Sequence, residues 1–479
     1  MKKLTDLSIL QVVDMLRDGK VTSVELTKEC LNRIEETKNL NALISVDEKI
    51  ALVQAEFADK RIKEGEKLPL LGVPIVVKDN ISTTDYKTTC ASKFLSNYVA
   101  PYDATVVDKL RKAGAVIIAK ANMDEFAMGA SGENSAYGRT LNPINTECVP
   151  GGSSSGSAVT VAAKQCFGAL GTDTGGSIRQ PAGFCGVVGM KPTYGRVSRY
   201  GVVAFASSLD QVGPITKTVA DNALLLDVIS GQDDNDMTSV CNKQESFVNS
   251  TKAEIKGLKI GVAKEFFEME LAPEIKNEIG KVIEFYRANG AEIVNISLPS
   301  IKKALAVYYI LSSAEAASNL SRYDGIKYGV RAENYDGLID LYYKSRTQGF
   351  GDEVKRRIMM GNYCLSAGYY DAYYKKASQV RELLKREFAD AFKKCDAIIS
   401  PVSPTTAFKF GAKKTPMEMY LADIYTVPVN IVGVPAISFP VAKDSNGLPI
   451  ACQLISNFWR EDVLYSLSSA YEKMQGVVR

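Results

Sequence analysis

The chain has no histidine among its 479 residues. That absence removes the Ser-His-Asp triad, the Cys-His dyad and His-ligated zinc or iron sites, H-E-x-x-H included. Acid–base chemistry is left to Lys, Asp, Glu, Tyr, Cys or the chain termini. No C-x-x-C pair occurs either. The nine cysteines are odd in number and widely spaced, a pattern of free thiols in a reducing cytoplasm rather than of structural zinc or a disulfide framework. No run of 18 apolar residues is present, so no membrane span is expected. In the opening MKKLTDLSILQVVDMLRDGK, Asp6, Asp14 and Arg17 interrupt any stretch of signal-peptide length. Charge of one sign is not in excess: 58 Lys+Arg stand against 55 Asp+Glu, a net +3, which argues against a dedicated nucleic-acid surface. G-x-x-x-x-G-K-[ST] and G-x-G-x-x-G are both missing, so the two common phosphate-loop readings lack their residues.

What is present begins with 46% apolar residues, enough for a substantial core in one large domain or two to three small ones. The first 65 residues read as helical. Leu10, Val13, Met15 and Leu16 mark an apolar face ending at Gly19. Thr22 and Glu25 form a T-x-x-E capping box for a second helix through Leu26, Cys30 and Ile34, and residues 48–64 read as a third. The character then changes. Leu71–Val77 (LGVPIVV) reads as a buried strand that delivers Lys78 at its C-terminal end. A helix over 104–113, stopped by Gly114, and a strand over Ala115–Ala119 complete a βαβ pattern. Residues 128–216 are rich in Gly and Ser. Leu258–Val262, a helix from near Pro273 to Gly290, and Glu292–Leu298 repeat the βαβ pattern. Residues 300–394 read as mostly helical. Ala397–Ser400, Ala436–Val441 and Ile450–Ile455 read as strands, and a last helix covers about 461–474. No disordered linker separates these blocks. The expectation is therefore an α/β protein: one large α/β/α layered unit over 1–479, with a central mixed sheet covered by helices. Within it, 1–65 is a helical N-terminal segment, 66–220 the core that contains the Gly/Ser-rich segment, and 221–479 the rest of the sheet with further helices.

Three pieces carry chemistry. Pro150-Gly-Gly-Ser-Ser-Ser-Gly-Ser157 is either a flexible surface loop or a turn that opens the buried helix Ala158-Val-Thr-Val-Ala-Ala and presents N–H groups and hydroxyls there. Gly171-Thr-Asp-Thr-Gly-Gly-Ser177 is either an ordinary glycine turn or one whose converging N–H groups form an oxyanion hole with Ser177 as nucleophile at its rim. Lys78 is either a surface lysine paired with Asp79 or a buried amine. A solvated lysine, with a pKa of roughly 10.4, is a poor base, but burial lowers that value by several units. With no histidine available, lysine is the remaining common base for a serine.

VVKDN, GGSSSGSA and GTDTGGSIRQPA in that order resemble the amidase signature family. Where the family often reads GGSSGG, Ser155 stands in place of a glycine. The resemblance implies an amidase signature fold and a Ser–cis-Ser–Lys triad. Ser177 would be the acyl-forming nucleophile, Ser153 the bridging serine after a cis peptide bond, and Lys78 the base. Thr174, Gly175, Gly176 and Ser177 would supply the oxyanion N–H groups. Over nearly the whole chain, LDQVGPITK (209–217), EVKRRIMMGNYCLSAGYYDAYYKKA (353–377) and YLADIYTVPVNIVGVPAISFP (420–440) resemble the glutaminase branch of that family, which serves tRNA-dependent amidotransferases. In that branch Arg357 would bind the glutamine α-carboxylate, Asp423 the α-amino group, and Tyr308 would line the pocket, with Tyr309 as the neighbouring alternative. A zwitterion wants one cation and one anion. The competing readings are a helix salt bridge from Arg357 to Glu353 four residues upstream and a helix or turn cap for Asp423. The resemblance further implies no metal or cofactor on this chain, ATP and Mg²⁺ on a partner, the B subunit, which also binds the tRNA, a third component, the C subunit, and conversion of Glu-tRNA(Gln) to Gln-tRNA(Gln). A stand-alone amidase and a scaffold protein without catalysis are the alternatives.

Overall fold

The computed structural model describes residues 3–242 and 246–476. One of the two opening lysines, Lys2, and both ends of the expected 1–479 unit lie outside them. Eleven strands form one sheet: β1 (Leu43–Val46), β2 (Pro74–Lys78), β3 (Val116–Ala121), β4 (Gly168–Asp173), β5 (Val188–Lys191), β6 (Gln211–Thr216), β7 (Lys259–Ala263), β8 (Glu292–Ile296), β9 (Ala397–Pro401), β10 (Ala436–Lys443) and β11 (Pro449–Ser456). Their order is β1-β3-β2-β4-β6-β5-β10-β11-β9-β7-β8. The sheet is mixed as expected. β2 lies parallel to β3 and β4, and β7 parallel to β8 and β9. The remaining pairings are antiparallel. The pairs β2/β3 and β7/β8 are the two βαβ units legible in the sequence, with helices Thr105–Lys112 and Pro273–Ala288 between their strands.

Alternation along the central strands sends side chains to two separate cores. Ala397, Ile399, Ile437 and Leu454 join one cluster with Ile279 and Leu464 of flanking helices. Ile398, Ala436 and Ile455 join another with Leu311, Leu384 and Ile431. A sheet covered on both faces needs apolar residues on both sides of each strand, which is why these strands read as nearly continuous apolar runs.

The N-terminal helices form at Ile9–Arg17, Ser23–Glu36 and Glu48–Lys63. The Thr22/Glu25 capping box is made. Two details differ from the sequence reading. The buried face of the first helix is Ile9, Val12, Val13 and Leu16, spaced i, i+3, i+4, i+7, so Leu10 and Met15 sit at its margin. The strand β1 also interrupts the expected helical segment; it is a short, half-exposed edge strand paired only with β3. Residues 320–336, expected within a helical stretch, are largely irregular apart from the short turn Leu320–Arg322. All nine cysteines are free and all but Cys241 are buried. Among the described residues no helix is long and apolar enough to cross a membrane.

Candidate active site

Lys78 is the last residue of β2, a strand buried along its whole length. Its side chain is fully buried. The Nζ atom lies 2.8 Å from Ser153 Oγ, 2.9 Å from Ser154 Oγ and 2.9 Å from Thr172 Oγ1. The two serines come from the turn before helix Ser155–Ala162, and Thr172 from the neighbouring strand β4. The Gly152–Ser153 peptide bond is cis. Burial pushes the amine down to about 7, against the opposing pull of the Asp124, Asp173 and Asp210 carboxylates.

The alternative pairing of Lys78 with Asp79 is not made. Asp79 turns instead to Lys120, whose Nζ is 3.8 Å from Oδ1, and both side chains are fully buried. Its Oδ2 accepts the N–H groups of Thr89 and Ala91 at 3.0 and 3.2 Å and the Thr89 hydroxyl. Lys78 is thereby left facing three hydroxyls and, at 3.4 Å, the Thr172 carbonyl.

The positions of two protons follow from this cage. Ser154 Oγ donates to the Thr172 carbonyl at 3.0 Å, so towards Lys78 it is an acceptor. Thr172 Oγ1 accepts from Asn80 Nδ2 at 3.1 Å and from Lys78. A neutral amine has two N–H donors and one lone pair. An arrangement with the donors on Ser154 and Thr172 leaves the lone pair for the Ser153 hydroxyl, 2.8 Å away.

Ser177 stands in the turn between β4 and helix Arg179–Cys185. At 7% exposure it is the accessible serine of this group, whereas Lys78 and Ser153 are at 0%. Its carbonyl accepts the Ser154 N–H at 3.1 Å, which ties the two Ser-rich turns together. The turn is shaped by a residue the motif reading passes over. Asp173 accepts the N–H groups of Gly176 (2.9 Å) and Ile178 (3.1 Å), Nε and an Nη of Arg179 (both 3.0 Å), and Asn430 Nδ2 (2.9 Å). Burial alone would raise this carboxyl, but Arg179 beside it holds it well below the usual carboxylate range. Gly176 has φ of +134°, and a Cβ there would lie 2.2 Å from Thr426 Oγ1, so only glycine fits. Thr426 Oγ1 in turn donates to the Gly175 carbonyl at 2.7 Å. The Gly176 N–H is thus already engaged. Among the described residues, no protein acceptor takes the N–H of Thr174, Gly175 or Ser177.

Asp173 and Arg179 are both fully buried. Removing one partner of such a pair strands a charge in the core at a cost of about 3–5 kcal/mol. Asp173→Ala is therefore expected to lower the thermal midpoint sharply, with Asp173→Asn, which keeps part of the hydrogen bonding, falling between it and the parent in a melting experiment.

Tyr308 and Tyr309 are consecutive on helix Ala304–Asn319, and both are used. Tyr308 packs against the turn: a Cβ on Gly175 would lie 2.6 Å from its ring. The Tyr309 hydroxyl donates to Asp423 Oδ2 at 3.3 Å, and its ring centroid is 4.5 Å from the Arg357 guanidinium. Arg357 does make the helix salt bridge, Nε to Glu353 Oε1 at 2.7 Å. Yet it is buried, and its Nη1 has no partner. The Asp423 carboxylate accepts from Tyr309 and caps no helix. Burial pushes its carboxyl up to about 8, with Arg357 opposing. Arg357 and Tyr309 line a cavity of about 300 Å³ with Ser131, Glu353 and Tyr420. Among the described residues no group of three or more Asp, Glu and Cys is arranged to hold a metal.

The structure thus gathers Lys78 and Ser153 directly, joins the Ser177 turn to them through Ser154, and places Arg357, Asp423 and both tyrosines on one adjoining wall. Asp173 and Arg179 are within reach of the sequence, as an acid and a base six apart around a glycine turn. Thr426 and Asn430 arrive from more than 240 residues away, with no local signal.

The Amidase family profile matches residues 25–465. The chain is 54% identical over 473 residues to the glutamyl-tRNA(Gln) amidotransferase A subunit of Caldanaerobacter subterraneus subsp. tengcongensis, covering 98% of this chain and 97% of that one. It is 52% identical to the protein of the same name from Geobacter metallireducens, with 98% of both chains covered. The crystal structure of the glutamyl-tRNA(Gln) amidotransferase A subunit from Thermotoga maritima superposes with a TM-score of 0.81 at 41% identity, covering 99% of this chain and 96% of that one. The peptide amidase of Stenotrophomonas maltophilia gives 0.82 at 28% identity over 98% and 97%. With its mixed sheet, its buried lysine among serine hydroxyls and its glycine turn at Ser177, the chain belongs to the amidase family.

Proposed function

We propose that this chain is the glutaminase component, the A subunit, of a glutamyl-tRNA(Gln) amidotransferase. It hydrolyses glutamine and supplies ammonia for ATP-dependent conversion of Glu-tRNA(Gln) to Gln-tRNA(Gln) on a partner. The near-full-length identity to proteins of that name supports the assignment. The observation that carries the chemistry is a fully buried lysine, brought to about 7, whose Nζ lies 2.8 Å from Ser153 Oγ.

Neutral Lys78 takes the Ser153 proton as Ser153 takes that of Ser177. Ser177 Oγ attacks the side-chain amide carbon of glutamine. The tetrahedral oxyanion accepts N–H groups of the 174–177 turn. Of the four residues expected there, Gly176 contributes by shape, since its N–H is held by Asp173; Thr174, Gly175 and Ser177 keep theirs for the oxyanion. The relay returns its proton to the leaving nitrogen, ammonia departs, and water cleaves the γ-glutamyl ester by the same path reversed. Arg357 receives the α-carboxylate through its unpartnered Nη edge, Asp423 the α-ammonium, and Tyr308 and Tyr309 form the wall between them and the turn.

In this reading the chain works in the cytoplasm as one unit over 1–479 and binds no cofactor. ATP and Mg²⁺ belong to the B subunit, which also holds the tRNA, and the C subunit completes a heterotrimer. The test is glutaminase activity of this chain alone and with its B and C partners. Activity that appears or rises strongly in the complex supports the reading. Brisk hydrolysis of many simple amides by the isolated chain points instead to a stand-alone amidase, the second reading favoured by the likeness to the peptide amidase. Asp423→Asn is expected to raise KM for glutamine by about 10- to 100-fold, the worth of a lost charge-assisted contact, with kcat little changed in steady-state assays.

A further inference from the structure

Arg357 and Asp423 account for the two charges of an α-amino acid, but neither sets its own position. The residue that reaches both is Glu353, in the first turn of helix Asp352–Leu365. An acidic side chain at that place ordinarily faces water and the helix dipole. Glu353 instead keeps only 10% of its side chain exposed. One carboxylate oxygen, Oε1, accepts both Arg357 Nε at 2.7 Å and the Tyr420 hydroxyl at 2.9 Å. The other accepts from Arg356.

The consequences run along a chain of contacts. A guanidinium is a rigid fork of five donors. Pinning its Nε edge to Glu353 fixes where the remaining N–H groups point, and among the described residues the buried Nη1 has no partner. It lies beside the stacked rings of Tyr309 and Tyr420, 4.5 and 4.9 Å from their centroids. Tyr420, anchored by its hydroxyl on Glu353, stacks on Tyr309 with centroids 3.9 Å apart and planes 21° from parallel. Tyr309 then donates to Asp423. One carboxylate therefore orients the cation directly and the anion through two stacked rings.

We propose that Glu353 is a positioning residue that sets the spacing of Arg357 and Asp423, and so makes the site selective for an amide carrying both an α-carboxylate and an α-ammonium. The inference rests on the glutaminase reading above. A neutral aliphatic amide uses only the triad and the 174–177 turn, so it does not sense this spacing.

The experiment is carried out on the assembled three-component complex, with glutamine and butyramide as paired substrates. Glu353→Ala is expected to raise KM for glutamine by about 10- to 100-fold, the effect of misplacing one charge-assisted contact, and to lower the glutamine-to-butyramide ratio of kcat/KM by a similar factor. Glu353→Gln, which keeps an oxygen for Arg357 Nε and Tyr420, recovers part of the loss. The ratio is read in one preparation, so a reduced folded fraction cancels from it. An equal fall for both substrates marks Glu353 as structural and overturns the proposal. So does a lower KM for glutamine, which would mean that Glu353 competes with the substrate carboxylate for Arg357. If the parent complex itself hydrolyses no glutamine, the glutaminase reading fails instead, which the parent assay shows separately.

Discussion

Ser177→Ala is expected to abolish glutamine-dependent amidation of Glu-tRNA(Gln) and to leave amidation from added ammonia intact. Removing the nucleophile from a serine–base unit costs about 10⁴-fold or more, because the covalent route is lost altogether. The structure separates that loss from damage to the fold. The Ser177 hydroxyl takes no part in the hydrogen bonds that shape its turn; those run through Asp173, Arg179, Asn430 and Thr426. The Ser177 carbonyl, which joins the turn to Ser154, is untouched by the substitution. The substitution thus leaves the turn's hydrogen bonds in place, and a complex carrying the variant is expected to assemble as the parent does. The check is a paired assay, glutamine against ammonium chloride at high concentration, with tRNA and ATP present in both. Equal loss of the two activities would refute the division of labour between the components.

The second large effect concerns Lys78. Lys78→Arg is expected to reduce kcat/KM for glutamine by about 10³-fold or more, since a guanidinium stays charged and offers no lone pair. Its bulk also has to enter a cage built for one nitrogen by Ser153, Ser154 and Thr172. Wild-type enzyme carries the matching pH signature. The base acts when neutral and its pKa is pushed down to about 7, so its contribution to kcat/KM rises with pH and levels off above about 7, falling roughly tenfold per unit below it. Asp423, pushed up to about 8, adds in the same direction, because it binds an α-ammonium as a carboxylate. Stability follows a related rule. Between about 7 and the unfolded lysine value near 10.4, the unfolded chain carries a proton on Lys78 that the folded one lacks, so this group makes folding more favourable as pH rises across that window. A flat profile of kcat/KM from pH 5.5 to 8 would exclude Lys78 as the base. Retained glutaminase activity in Lys78→Arg would do so independently.

Legibility in the sequence follows burial and chain distance. The outer strand pairs, β2/β3 and β7/β8, are readable because apolar, β-branched runs and a glycine-stopped helix recur in order. The strands β4, β5 and β6 are not, and all lie in the Gly/Ser segment. β4 reads GALGTD, with glycines where a strand ordinarily has bulk. It is a strand because its neighbours need the space: a Cβ on Gly171 would lie 2.9 Å from Ser154 Oγ, one of the hydroxyls around Lys78. The same glycines that build the site thus hide the strand. For the site, motif order points to Lys78, Ser153 and Ser177 through resemblance, and the absence of histidine leaves lysine as the common base. Beyond reach are the residues that hold these in place. Thr426 and Asn430 come from the far part of the chain. Glu353 reads from the sequence as a helix salt-bridge partner of Arg357, and only folding brings Tyr420 to the same oxygen.

The complete burial of Lys78 has a consequence for what leaves the enzyme. An amine at 0% exposure, enclosed by three hydroxyls, cannot trade protons freely with bulk solvent during acylation. In the proposed mechanism the single proton taken from Ser177 is then the one available to the departing nitrogen. An amide nitrogen that gains one proton in this way leaves as uncharged NH₃. Only that form has the lone pair needed to attack an activated carboxyl group. A closed proton circuit in one protein thus hands the next its nucleophile ready for use, at a pH where free ammonia in water would be almost entirely ammonium.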